Sequence, residues 1–513
     1  MAELSYVVGL DLGTTACKVM LFDMAGKAKA FARREYPLYA PSSEISEQDA
    51  QDWWNCICSG MREVLKKSGV GSGKVAGVSI SGQFPSFVYV DKSGRPAGRV
   101  MTYQDARANE QANFIVREVG AERLVELIGL PPSFFPTLPV AKILWLRDHH
   151  PSVYKLVSKF MGAKDFINYR LTGSFKTDFI EAWWTGLARV RDYSWSDELL
   201  EILGIQPDRL CEIVKPQDVV GCLTKEAAKA TGLKEDTPVI CGTADGMCNA
   251  LGSGTIREGV VADSAGGTEI IATAMSRKMP SSMGESIFCW PHLIPDLWIV
   301  YTSTATSGSS LRWFKDQLAF EEREAAERKG ISPYELLDAK AEQIEAGAGK
   351  LIFLPYMAGE YTPFFDLKAR GVFFGLSLDK RGEHLARSIL EGVAFSLRHT
   401  LEALEDLGVR IDEVRTSGGG SRSRLWNRIK ADVTGKPVSV LDVSETGCLG
   451  AALLAAIGVG LFHDVESASK AMVRVKETLE PDESKFEFYS KLFKIYTELY
   501  ERLRAPFSEL ASI

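Results

Sequence analysis

Between Tyr6 and Tyr36 the apolar positions fall into three short blocks separated by polar turns. Tyr6 to Leu10 reads as an apolar strand, Gly13-Thr14-Thr15 as a turn, and Cys17 to Phe22 as a second strand. Asp23-Met24-Ala25-Gly26-Lys27 reads as a hairpin loop, and Ala28 to Tyr36 as a third strand with period-two features. The period then changes. Trp53, Trp54, Ile57, Met61, Val64 and Leu65 recur at helical spacing, and Ser46-Glu47-Gln48-Asp49 ahead of them resembles a capping box. A strand from Val75 to Ile80 and a turn at Ser81-Gly82-Gln83 follow. Three strands, a helix and a further strand, with strands then alternating with helices, predict a mixed α/β sheet.

A similar opening recurs in mid-chain. Glu258 to Asp263 leads into Ser264-Ala265-Gly266-Gly267-Thr268, and Glu269 to Ala274 is again strand-like. Two strand, Gly/Thr-turn, strand units roughly 250 residues apart suggest two structurally related domains. Further on, Leu385, Ile389, Val393, Leu397, Leu401 and Leu404 line one face of a helix from Gly382 to Leu407. Gly447 to Gly458 is a small-residue helix suited to close packing, and the C-terminal end reads as helices forming a surface cover. With 513 residues the chain is too long for one core. The domains are expected to abut near Gly252-Ser253-Gly254, at 1–253 and 254–513.

Composition narrows the partners. A net charge of −7 provides no global field for nucleic acid or an anionic membrane, so any anionic ligand needs local donors. No apolar run approaches the ~20 residues that span a bilayer, and the first residues do not form a leader. The nine cysteines are scattered without paired CxxC units, which fits a reduced, cytoplasmic compartment. The histidines show no ligand spacing.

Two carboxylates stand out. Asp245 ends the apolar run Val239-Ile240-Cys241-Gly242-Thr243-Ala244, and Asp11 ends Val7-Val8-Gly9-Leu10. Phosphoryl transfer to a hydroxyl needs one acid for metal and phosphate and another to take the proton. Gly13-Thr14-Thr15, with Lys18 nearby, could cradle phosphate oxygens through backbone N–H groups and hydroxyls, or be a polar hairpin. Gly266-Gly267-Thr268 carries the same two readings. Gly69-Val70-Gly71-Ser72-Gly73-Lys74 mimics a P-loop, but it follows a helix, precedes a strand and lacks Ser or Thr after the lysine. Ser417-Gly418-Gly419-Gly420 offers backbone that a flat base or a phosphate can approach, or a tight βα turn. Tyr103-Gln104-Asp105-Ala106-Arg107 groups amide, acid and base as polyol sites do; on spacing alone a helix start with a salt bridge is favoured.

Together these segments resemble the FGGY family of carbohydrate kinases, and within it the xylulokinases. The likeness rests on Asp11-Leu12-Gly13-Thr14-Thr15, Gly266-Gly267-Thr268, Gly418 to Trp426, Phe353-Leu354-Pro355-Tyr356-Met357-Ala358-Gly359-Glu360 with Thr362-Pro363, and Gly371-Val372-Phe373-Phe374-Gly375-Leu376. Ala163-Lys164-Asp165-Phe166 with Leu171-Thr172-Gly173 adds to it. The resemblance implies two actin-like (ribonuclease H-like) domains around a cleft, with sugar against the first and ATP and Mg²⁺ mainly against the second. It implies Asp245 as general base and sugar contact, with Gln83 and Asp105 as further sugar contacts. Asp11 would organise Mg²⁺ and the phosphoryl group. Thr14, Thr15, Lys18, Gly267 and Thr268 would meet phosphates, Gly308 and Arg312 the nucleotide, and Gly419 and Ser423 the adenine and ribose. A homodimer is compatible with the resemblance. The departures lie on the sugar side: Gly82-Gln83-Phe84-Pro85 stands where xylulokinases usually carry Gly-Gln-Met-His, and Tyr103-Gln104-Asp105 where they carry Trp-Asn-Asp. D-xylulose is the first expectation; another ketopentose, a pentitol or a tetritol fits equally. An actin- or chaperone-type ATPase and a silent sugar-binding regulator are the readings from other classes.

Overall fold

The computed structural model describes residues 6–277, 282–283 and 286–513. It divides into two compact units. One is built from the chain up to Ile256 together with Glu445–Val473, the other chiefly from Arg257–Lys278, Met283–Ser444 and Arg474–Ile513. The first unit therefore takes up a late segment, including the helix Thr446–Gly458, that a single boundary near residue 253 leaves out.

The first unit holds a six-stranded sheet. Tyr6–Leu12, Ala16–Asp23 and Ala28–Glu35 form the expected antiparallel meander. Val75–Gly82 pairs parallel to Tyr6–Leu12, Pro238–Ala244 parallel to Val75–Gly82, and Val219–Cys222 closes the edge antiparallel. The second sheet repeats the order with Gly259–Ala265, Glu269–Met275 and Trp298–Thr304 as the meander and Ile411–Ser417 and Val438–Leu441 as the parallel strands. Val475–Leu479 again closes antiparallel, a strand within the C-terminal stretch expected to be helical.

The first strand is buried almost throughout because both faces of its sheet are covered. On the face of Val8 and Leu10 lies the helix Ala50–Ser68, with Trp53, Ile57 and Met61 in one core with them. On the other face the helix Thr446–Gly458 comes so close that a Cβ on Gly9 would sit 1.8 Å from the Cys448 carbonyl oxygen. The small-residue composition of that helix serves this approach.

One local expectation is corrected. Ser46 is not a helix cap. Ile45–Gln48 is a short strand that pairs with Val100–Met101, and the helix starts after Asp49, whose carboxylate accepts from the Gln51 N–H at 2.8 Å. Ser46 instead shares a hydrogen bond with the Thr102 hydroxyl at 2.7 Å. Strand pairing with a distant segment outweighs the local capping pattern.

Candidate active site

Three parallel strands of the first unit end level with one another. Asp11 pairs with Ser81 and Leu12 with Gly82; Thr243 pairs with Ser81 and Ala244 with Gly82. Asp11, Gln83 and Asp245 therefore come together at the carboxyl edge of the sheet, where open α/β sheets bind ligands.

Asp11 is 8% exposed. One carboxylate oxygen accepts from the Ser81 hydroxyl at 2.9 Å, the other from Lys18 Nζ at 3.1 Å. Lys18 also pairs with Glu445 at 2.9 Å, a partner supplied by the late segment. Asp11 and Glu445 raise the Lys18 ammonium against the opposing effect of burial, so it stays charged. Gly13-Thr14-Thr15 joins the strands as expected, with Thr15 exposed.

Asp245 is half-buried and is the first residue of the helix Asp245–Gly252. Burial, then the charge of Asp11, push its carboxyl from 3.8 up to about 7; the Gly246 N–H and Lys18 act in the opposite sense. A carboxylate so placed can accept a proton near neutral pH, which an ordinary surface aspartate does poorly.

Gln83 is buried and held by a residue that sequence reasoning did not single out. Its amide donates to Gln48 Oε1 at 2.8 Å, and Gln48 donates in turn to the Thr14 carbonyl. This fixes the amide orientation and leaves the Gln83 Oε1 acceptor without a partner among the described residues. Asp105 is placed differently. Its carboxylate is fully buried and engaged by the Arg107 guanidinium at 2.6 Å and by the Ser46 N–H at 2.9 Å; Arg107 reaches Glu47 as well. Tyr103 and Gln104 are exposed. The salt bridge favoured by spacing is present, but the helix starts later, at Asn109. Phe84 packs against Trp184, ring centroids 5.2 Å apart.

Beneath these ends lies a buried polar network that no sequence motif assigned to the site. Lys164 pairs with Asp165 and with Asp178 at 2.9 Å, and Asp178 accepts from the Thr243 hydroxyl at 2.8 Å, two residues before Asp245. The Lys164 stem lies against Gly82, where an added Cβ would fall 2.7 Å from Lys164 Cβ. The network thus supports the ends of two neighbouring strands.

The second unit brings its own predicted residues together. The Gly308 N–H donates to the Gly266 carbonyl at 3.0 Å, and the Ser309 hydroxyl to that of Gly267 at 2.7 Å, so the Gly/Thr turn is tied to the start of the helix Gly308–Gln317. Gly418, at φ +76°, lies against Ala265 at the base of the same turn. Gly267 and Gly419 both have open space where a side chain would be. Thr268 and Arg312 are exposed, and the Ser423 hydroxyl caps the helix Arg424–Thr434 by accepting from the Trp426 N–H. Ser264, one before the strand end, stands where the first unit has Asp11, so only the first turn carries a carboxylate. Glu360 anchors this unit: it accepts from the N–H groups of Ala305 and Tyr361 and from the Ser396 hydroxyl, and burial pushes it up to about 7.

The N-terminal-domain model of the FGGY carbohydrate kinases matches residues 6–252, and the C-terminal-domain model residues 275–459. The chain belongs to the FGGY family of carbohydrate kinases. It is accordingly an ATP-dependent sugar kinase with two actin-like domains. Among its relatives, a xylulose kinase of Staphylococcus epidermidis is 30% identical over 99% of both chains, and a gluconokinase of Bacillus subtilis 28% identical over 99% of this chain and 98% of that one. The crystal structure of xylulose kinase from Rhodospirillum rubrum superposes with a TM-score of 0.83 at 32% identity, covering 98% of this chain and all of that one. Among the described residues, no helix is long and apolar enough to cross a membrane.

Proposed function

We propose that this kinase phosphorylates a hydroxyl of a small neutral sugar of the ketopentose type, D-xylulose first, with Asp245 as the general base. The observation that carries the reading is the shift of Asp245 to about 7 at a strand end level with Asp11 and Gln83. Asp245 would accept the proton as the sugar oxygen attacks, and the unpartnered Gln83 Oε1 would accept from a second sugar hydroxyl. Thr14, Thr15 and Lys18 would meet phosphate oxygens, as would Gly267 and Thr268. Gly308 and Arg312 would contact the nucleotide, and Gly419 and Ser423 would lie beside its adenine and ribose.

Magnesium fits this donor set. Mg²⁺ takes hard oxygen ligands and commonly keeps several waters while binding one or two carboxylates and substrate phosphates. Asp11, with the Ser81 hydroxyl beside it, offers such a foothold, and no cage of three or more metal-binding side chains exists among the described residues. Bound there, the ion would neutralise charge on the transferring phosphoryl group.

A neutral sugar is favoured over a sugar acid because the cations around Gln83 are committed. Arg107 serves Asp105 and Glu47, and Lys164 serves Asp165 and Asp178. Another ketopentose, a pentitol or a tetritol remains compatible with the altered Phe84-Pro85 and Tyr103-Gln104 segments. Coupled ADP release across ketopentoses, pentitols, tetritols, glycerol, hexuloses and gluconate tests the reading. Turnover with a ketopentose and none with gluconate is expected. Preference for gluconate would overturn the substrate class, and ADP release independent of every sugar would overturn the assignment of Asp245 as a sugar base.

A further inference from the structure

A small cavity in the first unit has a volume of about 20 Å³ and apolar walls from Phe87, Ile143 and Phe160. One water needs ~10–15 Å³ on this measure. Three of its lining residues, Ser86, Thr177 and Glu181, are 1%, 3% and 2% exposed. Their Oγ, Oγ1 and Oε2 atoms have no hydrogen-bond partner among the described residues. Buried polar atoms are costly to leave unpaired, and dry cavities in proteins are apolar ones. Gly162 keeps the space open for the acid, since a Cβ there would fall 2.3 Å from Glu181 Oε1.

The three residues belong to segments that position the sugar side. Ser86 follows Phe84-Pro85 directly. Glu181 lies on the helix Phe179–Trp184, whose Trp184 packs against Phe84. Thr177 precedes Asp178, which holds Thr243 near the end of the strand leading to Asp245.

We propose that this cavity holds one ordered water bridging Ser86, Thr177 and Glu181, and that the bridge sets the position of the Phe84-Pro85 segment and through it the fit of the sugar. Three partners match the usual coordination of a buried water. Burial, then the charge of Asp165, push the Glu181 carboxyl well above its usual range against the opposing charge of Lys164, which favours the protonated form that can donate as well as accept. The positioning role rests on the sugar-kinase reading above, in which this segment meets the sugar; the water itself does not.

A crystal structure of the full chain at a resolution that shows ordered water tests the site, with one density within hydrogen-bonding distance of all three atoms expected. Kinetics test the role. Ser86→Ala and Thr177→Val each remove one partner and are expected to raise the sugar KM about fivefold, with kcat and the nucleotide KM within about twofold. The double variant should be no worse than the worse single one, because one water is lost once. Glu181→Gln keeps a donor and an acceptor and should stay near wild type, whereas Glu181→Leu should raise the sugar KM. A dry cavity overturns the proposal, as do additive effects in the double variant or losses spread equally over kcat and the nucleotide KM. A dry cavity in a working kinase refutes this proposal alone. A hydrated cavity in a protein that turns over no sugar refutes the functional reading and the positioning role with it.

Discussion

Lowering the pH through neutrality should switch off the proposed base. Asp245 has its carboxyl at about 7 in the folded protein. A single group at about 7 is ionised to roughly 9% at pH 6, half at pH 7 and roughly 91% at pH 8. With Asp11 free of metal the carboxyl should therefore go from about one-tenth to about nine-tenths ionised between pH 6 and 8, and kcat/KM for the sugar should rise with it by at most about tenfold, since Mg²⁺ at Asp11 would offset part of the shift. An aspartate at the ordinary value of 3.8 would be ionised throughout and give a flat profile. The assay is initial-rate ADP release at subsaturating sugar with Mg²⁺ and ATP saturating, alongside nucleotide affinity by calorimetry at each pH. The causes of the shift supply a second check. Removing the Asp11 charge in Asp11→Asn should move the carboxyl titration of Asp245, followed by ¹³C NMR, toward lower pH, and Lys18→Met should move it higher. A flat profile between pH 6 and 8, or an acid limb that appears equally in nucleotide affinity, would rule out Asp245 as the titrating base.

Two further predictions concern the second unit. The Glu360 carboxyl sits at about 7 in the folded protein against 4.5 ordinarily, so its ionisation costs stability that grows above about 4.5 and is complete above about 7, with a ceiling near 3 kcal/mol. Glu360→Gln keeps an oxygen for the Ala305 and Tyr361 N–H groups and turns its NH₂ to Ser396; its Tm relative to wild type should climb between pH 5 and 8, and a pH-independent difference would count against the account. Lys430 lies buried between Asp263 and Glu269, each at 2.5 Å, so Lys430→Met should cost about 3–5 kcal/mol by urea unfolding, and a loss below about 1 kcal/mol would contradict that role.

Much of the architecture was legible because its signals are local. The meander from Tyr6 to Glu35, the helix Gly382–Asp406 and the Gly/Thr turns follow from apolar period and turn chemistry read over a few residues. What escaped depends on residues brought together from afar. Glu445 reaches Lys18 only because the late segment returns to the first unit. Gln48 orients Gln83 only because Ile45–Gln48 becomes a strand where the local pattern suggested a cap. Asp105 has the Arg107 partner that its spacing favoured, but the Ser46 N–H also reaches its carboxylate, and only because Ile45–Gln48 is a strand. The position of Asp245 beside Asp11 was inferable from two similar strand ends; its raised proton affinity needed the burial that only the folded sheet provides.

The most direct test of the account is Asp245→Asn, which removes the proton acceptor while keeping side-chain size. Calorimetry should show ATP and Mg²⁺ binding within about threefold of wild type, and circular dichroism an unchanged fold. Sugar-dependent ADP release should fall by about 10²–10⁴-fold, the range supplied by a general base. Turnover within about threefold of wild type would show that Asp245 is not the general base.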